Sequence, residues 1–270
     1  MKHFKKVLAF SLVAVMTGAL LAACGGSTGG SDSAADTEST EAEDSGASGG
    51  KLIMATNATF PPYEYVEGGE YEGIDVEIAG KIADKLGREL EIQDVEFDSI
   101  IGGVQSGKYD MGMAGMTVTD ERKQSVNFTD TYATGIQSII VADGSAIASV
   151  DDLSSDTRIG VQQGTTGDIY ATDDYGDSAV TAFKNGADAV QALLTDKIDC
   201  VIIDNEPAKS FVAANEGLVI LETSYAEEEY AICISKDNEE LLTQINDALS
   251  ELKSDGTIDE IIEKYIPSEG

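Results

Sequence analysis

The chain predicts an α/β fold built as two units, and three observations support that expectation. Apolar runs of strand length, such as Lys51-Leu52-Ile53-Met54-Ala55-Thr56 and Cys200-Val201-Ile202-Ile203, alternate with helical patterns. The clearest helical pattern has apolar residues at 74, 78, 79, 82, 83 and 86. After about residue 136 the strand–helix rhythm restarts, and the length available suits two lobes of roughly 100 residues each.

Residues 1–23 have the pattern of a targeting segment, with Lys2, Lys5 and Lys6 ahead of an almost wholly apolar run from Val7 to Leu21. Leu21-Ala22-Ala23-Cys24-Gly25 matches the lipobox motif, so lipidation is expected at Cys24, with acyl chains rather than a spanning helix holding the mature chain to a membrane. Residues 24–50, rich in Gly, Ser, Asp and Glu and without large apolar side chains, are expected to be an acidic, disordered linker.

The formal net charge of −33 argues against nucleic acid as a partner, because phosphate binding needs a basic footprint. His3, the one histidine, falls in the targeting segment, and no metal-ligand cluster or cofactor motif is present, so neither metal nor cofactor is expected. Cys200 and Cys233 lie in apolar strand-like runs and are expected to be buried and reduced.

Between the tether and the C-terminus the elements follow in order. Lys51–Thr56 is a strand, residues 57–71 a loop rich in Pro, Gly and aromatics, 74–86 a helix and 90–95 a strand. Asp98-Ser99 caps a short helix before a strand over 111–116, which implies a parallel sheet. Strands are then expected at 136–142, 158–161, 180–183, 199–203 and 230–235. Helices are expected at 167–172, 186–195, from Pro207 as an N1 residue, at 238–254 and at 257–265.

The stretch 111–123 concentrates the chemistry. Gly-spaced apolar residues end at Thr117, Thr119 and Asp120, groups suited to capping a helix, and Arg122 falls in its first turn. A cation there opposes the helix dipole unless an external anion sits at the helix end, held by backbone N–H groups and the guanidinium fork. That makes a carboxylate trap; an ordinary solvated helix start, with Asp120 or Glu121 neutralising Arg122, is the alternative. Thr117–Thr119, Gly164-Thr165-Thr166-Gly167 and Asp204 all fall at the carboxyl ends of predicted strands, where open α/β sheets bind ligands.

Over 51–270 the chain resembles family 3 of the extracellular solute-binding proteins, the amino-acid receptors of ABC importers. The resemblance runs through Lys51–Glu64, Gly73-Ile74-Asp75-Val76-Glu77, Phe97–Ile101, Met116–Arg122, Asn127-Phe128-Thr129, Gln163–Gly167 and Ser254–Thr257. It implies the type II periplasmic-binding-protein fold, with lobe 1 at 51–132 plus 231–270, lobe 2 at 133–230, and a two-strand hinge near Tyr132–Thr134 and Glu229–Tyr230. By resemblance Arg122, with Thr119 and Thr166, takes a ligand α-carboxylate, and Thr165 of the same Gly-Thr-Thr-Gly turn is counted among the ligand-binding residues. Asp204, with the Gly115 carbonyl and the Thr117 hydroxyl, takes the α-ammonium. Phe60, Phe97 and Gln162 line the side-chain pocket, and Tyr63 and Glu64 lie nearer the rim.

Asn57 departs from relatives that carry an aspartate for cationic ligands, so an uncharged side chain is expected, with Glu64 able to supply the missing charge. The expected partners are a free amino acid and the permease subunits of an ABC transporter, and the expected state is a monomer at the extracytoplasmic face of the cell membrane. A cationic ligand, a dehydratase-like enzyme on the same scaffold and a free-standing sensor subunit are the alternatives. An enzyme is not expected, because no paired carboxylates stand out for acid–base work.

Overall fold

The computed structural model describes residues 50–267. The targeting segment, Cys24 and all but the last residue of the linker lie outside the described residues, as do 268–270. The described chain opens with β1 (Lys51–Thr56), then β2 (Thr59–Phe60), β3 (Glu64–Glu67) and β4 (Glu70–Glu72). Next come α1 (Ile74–Leu86), β5 (Glu89–Asp94), α2 (Ile100–Gln105), β6 (Met111–Gly112) and β7 (Val126–Phe128). β8 (Ala133–Ala142), β9 (Ile159–Gln162), α3 (Thr166–Tyr175), β10 (Val180–Phe183), α4 (Gly186–Leu194) and β11 (Cys200–Asp204) follow. The chain continues through α5 (Asn205–Ala214), β12 (Leu218–Ile220), β13 (Ala226–Tyr230), β14 (Cys233–Ser235), α6 (Glu239–Ser254) and α7 (Thr257–Tyr265).

Two main sheets organise these elements. The first is five-stranded, in the order β5-β1-β6-β14-β7, with β1 parallel to β5 and β6 and with β14 antiparallel to β6 and β7. The second is six-stranded, in the order β10-β9-β11-β8-β12, with β13 also paired to β8. There β9 runs parallel to β10 and β11, while β8 is antiparallel to β11, β12 and β13. β2, β3 and β4 form a small antiparallel sheet of their own. The chain passes between the main sheets twice, between β7 and β8 and between β13 and β14, where the Tyr132 N–H donates to the Tyr230 carbonyl at 2.9 Å.

Each sheet exists because its helices cover it with apolar stripes. α1 buries Ile74, Ile78, Ala79, Ile82 and Ala83 at helical spacing, against the stripe of Leu241, Ile245, Leu249 and Leu252 on α6. On the opposite face of the first sheet, Ile100 and Val104 of α2 pack with Met116, Val126 and Cys233. In the second sheet every residue of β9 and β11 is buried, as central parallel strands covered on both faces require. Cys200 and Cys233 are both free thiols, buried in different apolar clusters.

Several expectations are corrected. The 57–71 region is the β2–β4 meander rather than a loop. The strand expected over 111–116 is limited to Met111–Gly112, because Gly115 turns into the left-handed region (φ +52°) and gives its N–H to Asp75 at 2.8 Å. The helix expected at Arg122 is a single 3₁₀ turn over Arg122–Gln124, and Pro207 is the third residue of α5 rather than the first. Asp98-Ser99 makes no side-chain cap for α2, and the first sheet is mixed rather than parallel. The strand expected over 230–235 is two strands, since Ala231 and Ile232 carry the chain from one sheet to the other.

Gly73, just ahead of α1, has φ +125°, and a Cβ there would lie 2.2 Å from the Tyr63 carbonyl oxygen. Gly73→Ala should therefore cost about 3 kcal/mol in urea unfolding. Gly87→Ala, at φ +64° with open space around it, should cost about 1 kcal/mol. Equal losses would show that the Tyr63 contact does not constrain the turn.

Candidate binding site

The carboxyl ends of β1, β9 and β11 converge on one buried pocket. It is lined by Asn57, Phe60, Glu64, Phe97, Ala114, Gly115, Thr117 and Arg122 from the first sheet's side and by Gln162, Thr165, Thr166 and Asp204 from the second. Its free volume is about 10 Å³, room for about one water, so the two sides are closed on each other. Gln162 Nε2 donates across it to Asn57 Oδ1 at 2.8 Å, and outside it Gln163 Nε2 donates to Asp98 Oδ2 at 2.8 Å. An exposed pair, Lys184 with Glu96 at 3.3 Å, adds to them at the surface.

Arg122 holds the centre of one wall. Its Nη1 donates to the Thr117 carbonyl at 2.7 Å and its Nη2 to the Gly164 carbonyl at 3.0 Å, so one guanidinium spans both sheets. The group lies over the Phe97 ring, 5.4 Å from its centroid. Burial lowers its pKa, opposed first among charges by Glu228. The helix N-terminus beside it belongs to α3, where Thr165 caps by accepting from the Asp168 N–H and donates its own hydroxyl to the Gln162 carbonyl at 2.8 Å. The anion-favouring helix end thus comes from the opposite sheet, and the Arg122 turn is too short to have one.

Asp204 faces this wall at the end of β11. It accepts from Gln137 Nε2 at 2.7 Å and from the Tyr230 hydroxyl. Burial, then the neighbouring Glu228, holds its carboxyl well above the usual range. Glu228 accepts from Gln137 Nε2 at 3.0 Å and from the Thr117 hydroxyl at 2.9 Å. With its proton engaged by Glu228, the Thr117 oxygen acts as an acceptor, and the Thr166 hydroxyl stands 3.5 Å from it. Gly135 leaves room for Tyr230, since a Cβ there would lie 2.1 Å from its hydroxyl.

Asn57 and Phe60 form another part of the lining. Asn57 Nδ2 donates to the Val95 carbonyl at 2.8 Å and Asn57 Oδ1 also accepts from the Thr59 hydroxyl at 2.9 Å, a set that suits an amide. Gly115 is pressed by the Phe60 ring, 3.0 Å from where a Cβ would stand.

The residues assigned to the site by resemblance all line this pocket except Thr119 and Tyr63. The Thr119 hydroxyl instead accepts from the Arg122 N–H at 3.1 Å, at the first residue of the 3₁₀ turn. Tyr63 and Glu64, expected nearer the rim, are 3% and 1% exposed. Glu64 is buried because β3 begins beneath α1, and burial, then Asp75, pushes its carboxyl well above the usual range. Asp75, fully buried, is pushed up to about 7 by burial. Glu228 was hidden in the run Glu227-Glu228-Glu229, which reads as a solvated charge run. Once 226–230 is a strand, its alternation puts Glu228 and Tyr230 inward and Glu227 and Glu229 outward.

Residues 52–268 match the bacterial extracellular solute-binding proteins, family 3. The chain belongs to that family. It is 35% identical over 272 residues to the arginine-binding extracellular protein ArtP of Bacillus subtilis (strain 168), covering 98% of this chain and 99% of that protein. It is 31% identical over 267 residues to the ABC transporter glutamine-binding protein GlnH of the same organism, covering 97% of each. Among solved structures, an ancestral arginine-binding protein bound to glutamine is 40% identical with a TM-score of 0.76, over 80% of this chain and 97% of that one. The fold is accordingly the α/β, two-lobed type II periplasmic-binding-protein fold of family 3, and the two main sheets are the centres of its lobes.

Glu64, Asp75 and Asp204 all have folded-state pKa values above the unfolded range of about 4. Such groups stabilise fully below the unfolded pKa, and that stability is lost as pH rises through the folded value. The ligand-free protein should therefore be more stable at pH 5 than at pH 8, Asp75 alone contributing about 2 kcal/mol. Urea midpoints across that range test this, and a flat profile would contradict it.

Proposed function

We propose that this chain is an extracytoplasmic receptor that binds one free α-amino acid between its lobes and delivers it to the permease subunits of an ABC importer. The observation that supports it is that Arg122 and Asp204 reach one buried pocket from opposite sheets. Buried charges are costly unless paired. A zwitterion pairs both at once: its carboxylate meets the remaining N–H groups of Arg122 and the N-terminus of α3 at Thr165 and Thr166. Its ammonium meets Asp204, the Gly115 carbonyl and the Thr117 hydroxyl oxygen. The ligand enters an open form, because the closed pocket has no room for it, and occupancy shifts the population toward closure.

For the side chain, Asn57 and Gln162 support an uncharged polar group, bonded by their amides. A cationic side chain is the second reading, favoured by the buried carboxyl of Glu64 in the pocket lining. The relatives described above include an arginine-binding and a glutamine-binding protein. We take lobe 1 as 51–132 plus 231–270, lobe 2 as 133–230, and the hinge as Tyr132–Thr134 with Glu229–Tyr230. A signal peptide over 1–23, a lipid on Cys24 and a tether over 24–50 would hold a monomeric receptor at the cell membrane.

The protein, unfolded and refolded to strip bound ligand, should melt a few degrees higher with the right amino acid at 100 times its Kd, a stabilisation of about 2.7 kcal/mol. Arg122→Ala should abolish that shift, while Asn57→Asp should move the preference toward lysine and arginine. No shift with any of the twenty amino acids would overturn the receptor reading. In a bacterial host, Cys24→Ser should move the protein from the membrane fraction to the soluble one, and unchanged membrane retention would count against the lipid anchor.

A further inference from the structure

Two buried acids meet at the edge of the pocket without a donor between them. Glu64 is 1% exposed and lines the pocket, and Asp75, on α1 behind it, is 0% exposed. Asp75 Oδ2 accepts from the Gly115 N–H and the Tyr132 hydroxyl, each at 2.8 Å. Its Oδ1 and Glu64 Oε2 receive no hydrogen bond from any donor of the described residues. The backbone brings the two together, since the Asp75 N–H donates at 2.9 Å to the carbonyl of Tyr63, the residue before Glu64, and the two acids act on each other's protonation. As two carboxylates they would set like charges together out of water, each with an unsatisfied oxygen. As an acid and a carboxylate, a single proton between them satisfies both. The donors from Gly115 and Tyr132 favour the ionised form of Asp75, which leaves the proton on Glu64.

The charged surroundings favour keeping that proton. Asp94 at the end of β5 and Asp204 from β11 act on Glu64 as like charges, and the hydroxyls of Tyr63 and Tyr132 stand nearby without positive charge. Arg122 is the one cation among the pocket-lining residues, and it is bonded to the carbonyls of Thr117 and Gly164.

We propose that Glu64 and Asp75 share one proton at neutral pH, and that Glu64 releases it to solvent when a cationic side chain enters the pocket. With a neutral side chain the acid stays intact, and its carbonyl oxygen accepts from an amide. With a cationic one the Glu64 O–H bond breaks, the electron pair stays on the carboxylate, and the proton passes to bulk buffer. The pocket's charge follows that of its ligand, so one set of side chains serves both classes. Glu64 is then a specificity-determining residue and Asp75 a positioning residue, linking the side-chain end of the pocket to Gly115 and to Tyr132 at the crossing between lobes. The inference rests on the amino-acid receptor reading for its ligand, though not for the shared proton.

Two measurements separate these parts. Infrared spectra of the ligand-free protein in D₂O at neutral pD should show a protonated carboxyl C=O band, lost in Glu64→Gln and shifted in Asp75→Asn. Absence of the band overturns the proposal whatever the ligand is. Calorimetric titration with arginine and with glutamine, each in phosphate and in Tris at pH 7, then reads the proton. Arginine should release about one proton per molecule bound, glutamine none, and Glu64→Gln should remove the buffer dependence for arginine. Arginine that binds with no proton release, or fails to bind while glutamine binds, overturns the proposal and leaves the receptor reading standing. If the carboxyl band is present and neither ligand nor any other amino acid binds, the receptor reading fails with the ligand coupling.

Discussion

Charge taken out of water is the constraint around which this molecule is built. Arg122 is almost fully buried, and its guanidinium is held by two backbone carbonyls, one from each lobe. Those bonds satisfy hydrogen-bonding capacity but supply no full negative charge. The acid that could supply one from across the pocket is Asp204, tied with Glu228 to Gln137. In the proposed reading, a zwitterion between Arg122 and Asp204 supplies the complementary pattern to both at once. Closure and recognition are therefore one event, since the pocket is dry only when shut and selective only when dry.

The fold makes this arrangement possible by ending its parallel strands at one place. β1, β9 and β11 each deliver a polar residue just where backbone pairing stops, at Asn57, Gln162 and Asp204. The crossings between the sheets bring Tyr230 under the pocket, where it is fully buried and bonded to Asp204, with Gly135 making the space it needs. The same crossing segments supply Tyr132, whose hydroxyl reaches Asp75 and through it the Gly115 loop.

Much of this was legible from residue order, and the exceptions share a cause. The α1 helix follows from its apolar spacing, and Lys51–Thr56 from its composition, because both are decided by local pattern and burial. Arg122 could be singled out because a cation at a helix start conflicts with the helix dipole, and Asp204 and Thr166 because they fall at carboxyl ends of predicted strands and match the family resemblance. The 3₁₀ turn at Arg122 was misread as a helix because capping residues announce a helix start and say nothing of its length. Glu64 was placed at the rim and Glu228 passed over because a carboxylate in sequence looks the same whether its strand faces solvent or a lobe interface. Only the pairing of β13 to β8 and the meander beneath α1 decide their burial, and both depend on contacts far along the chain.

The placement of β14 has a consequence for how the protein is made. The last strand of the chain lies inside the first sheet, between β6 and β7, while every strand of the second sheet lies earlier in sequence. A chain emerging from its N-terminus can complete the second lobe once Tyr230 is available, with Ala133 and Tyr230 paired at its two ends. The first lobe, begun earlier, must wait with an unfilled gap in its sheet until Cys233–Ser235 arrives. In this molecule the lobe that starts first is the one that finishes last.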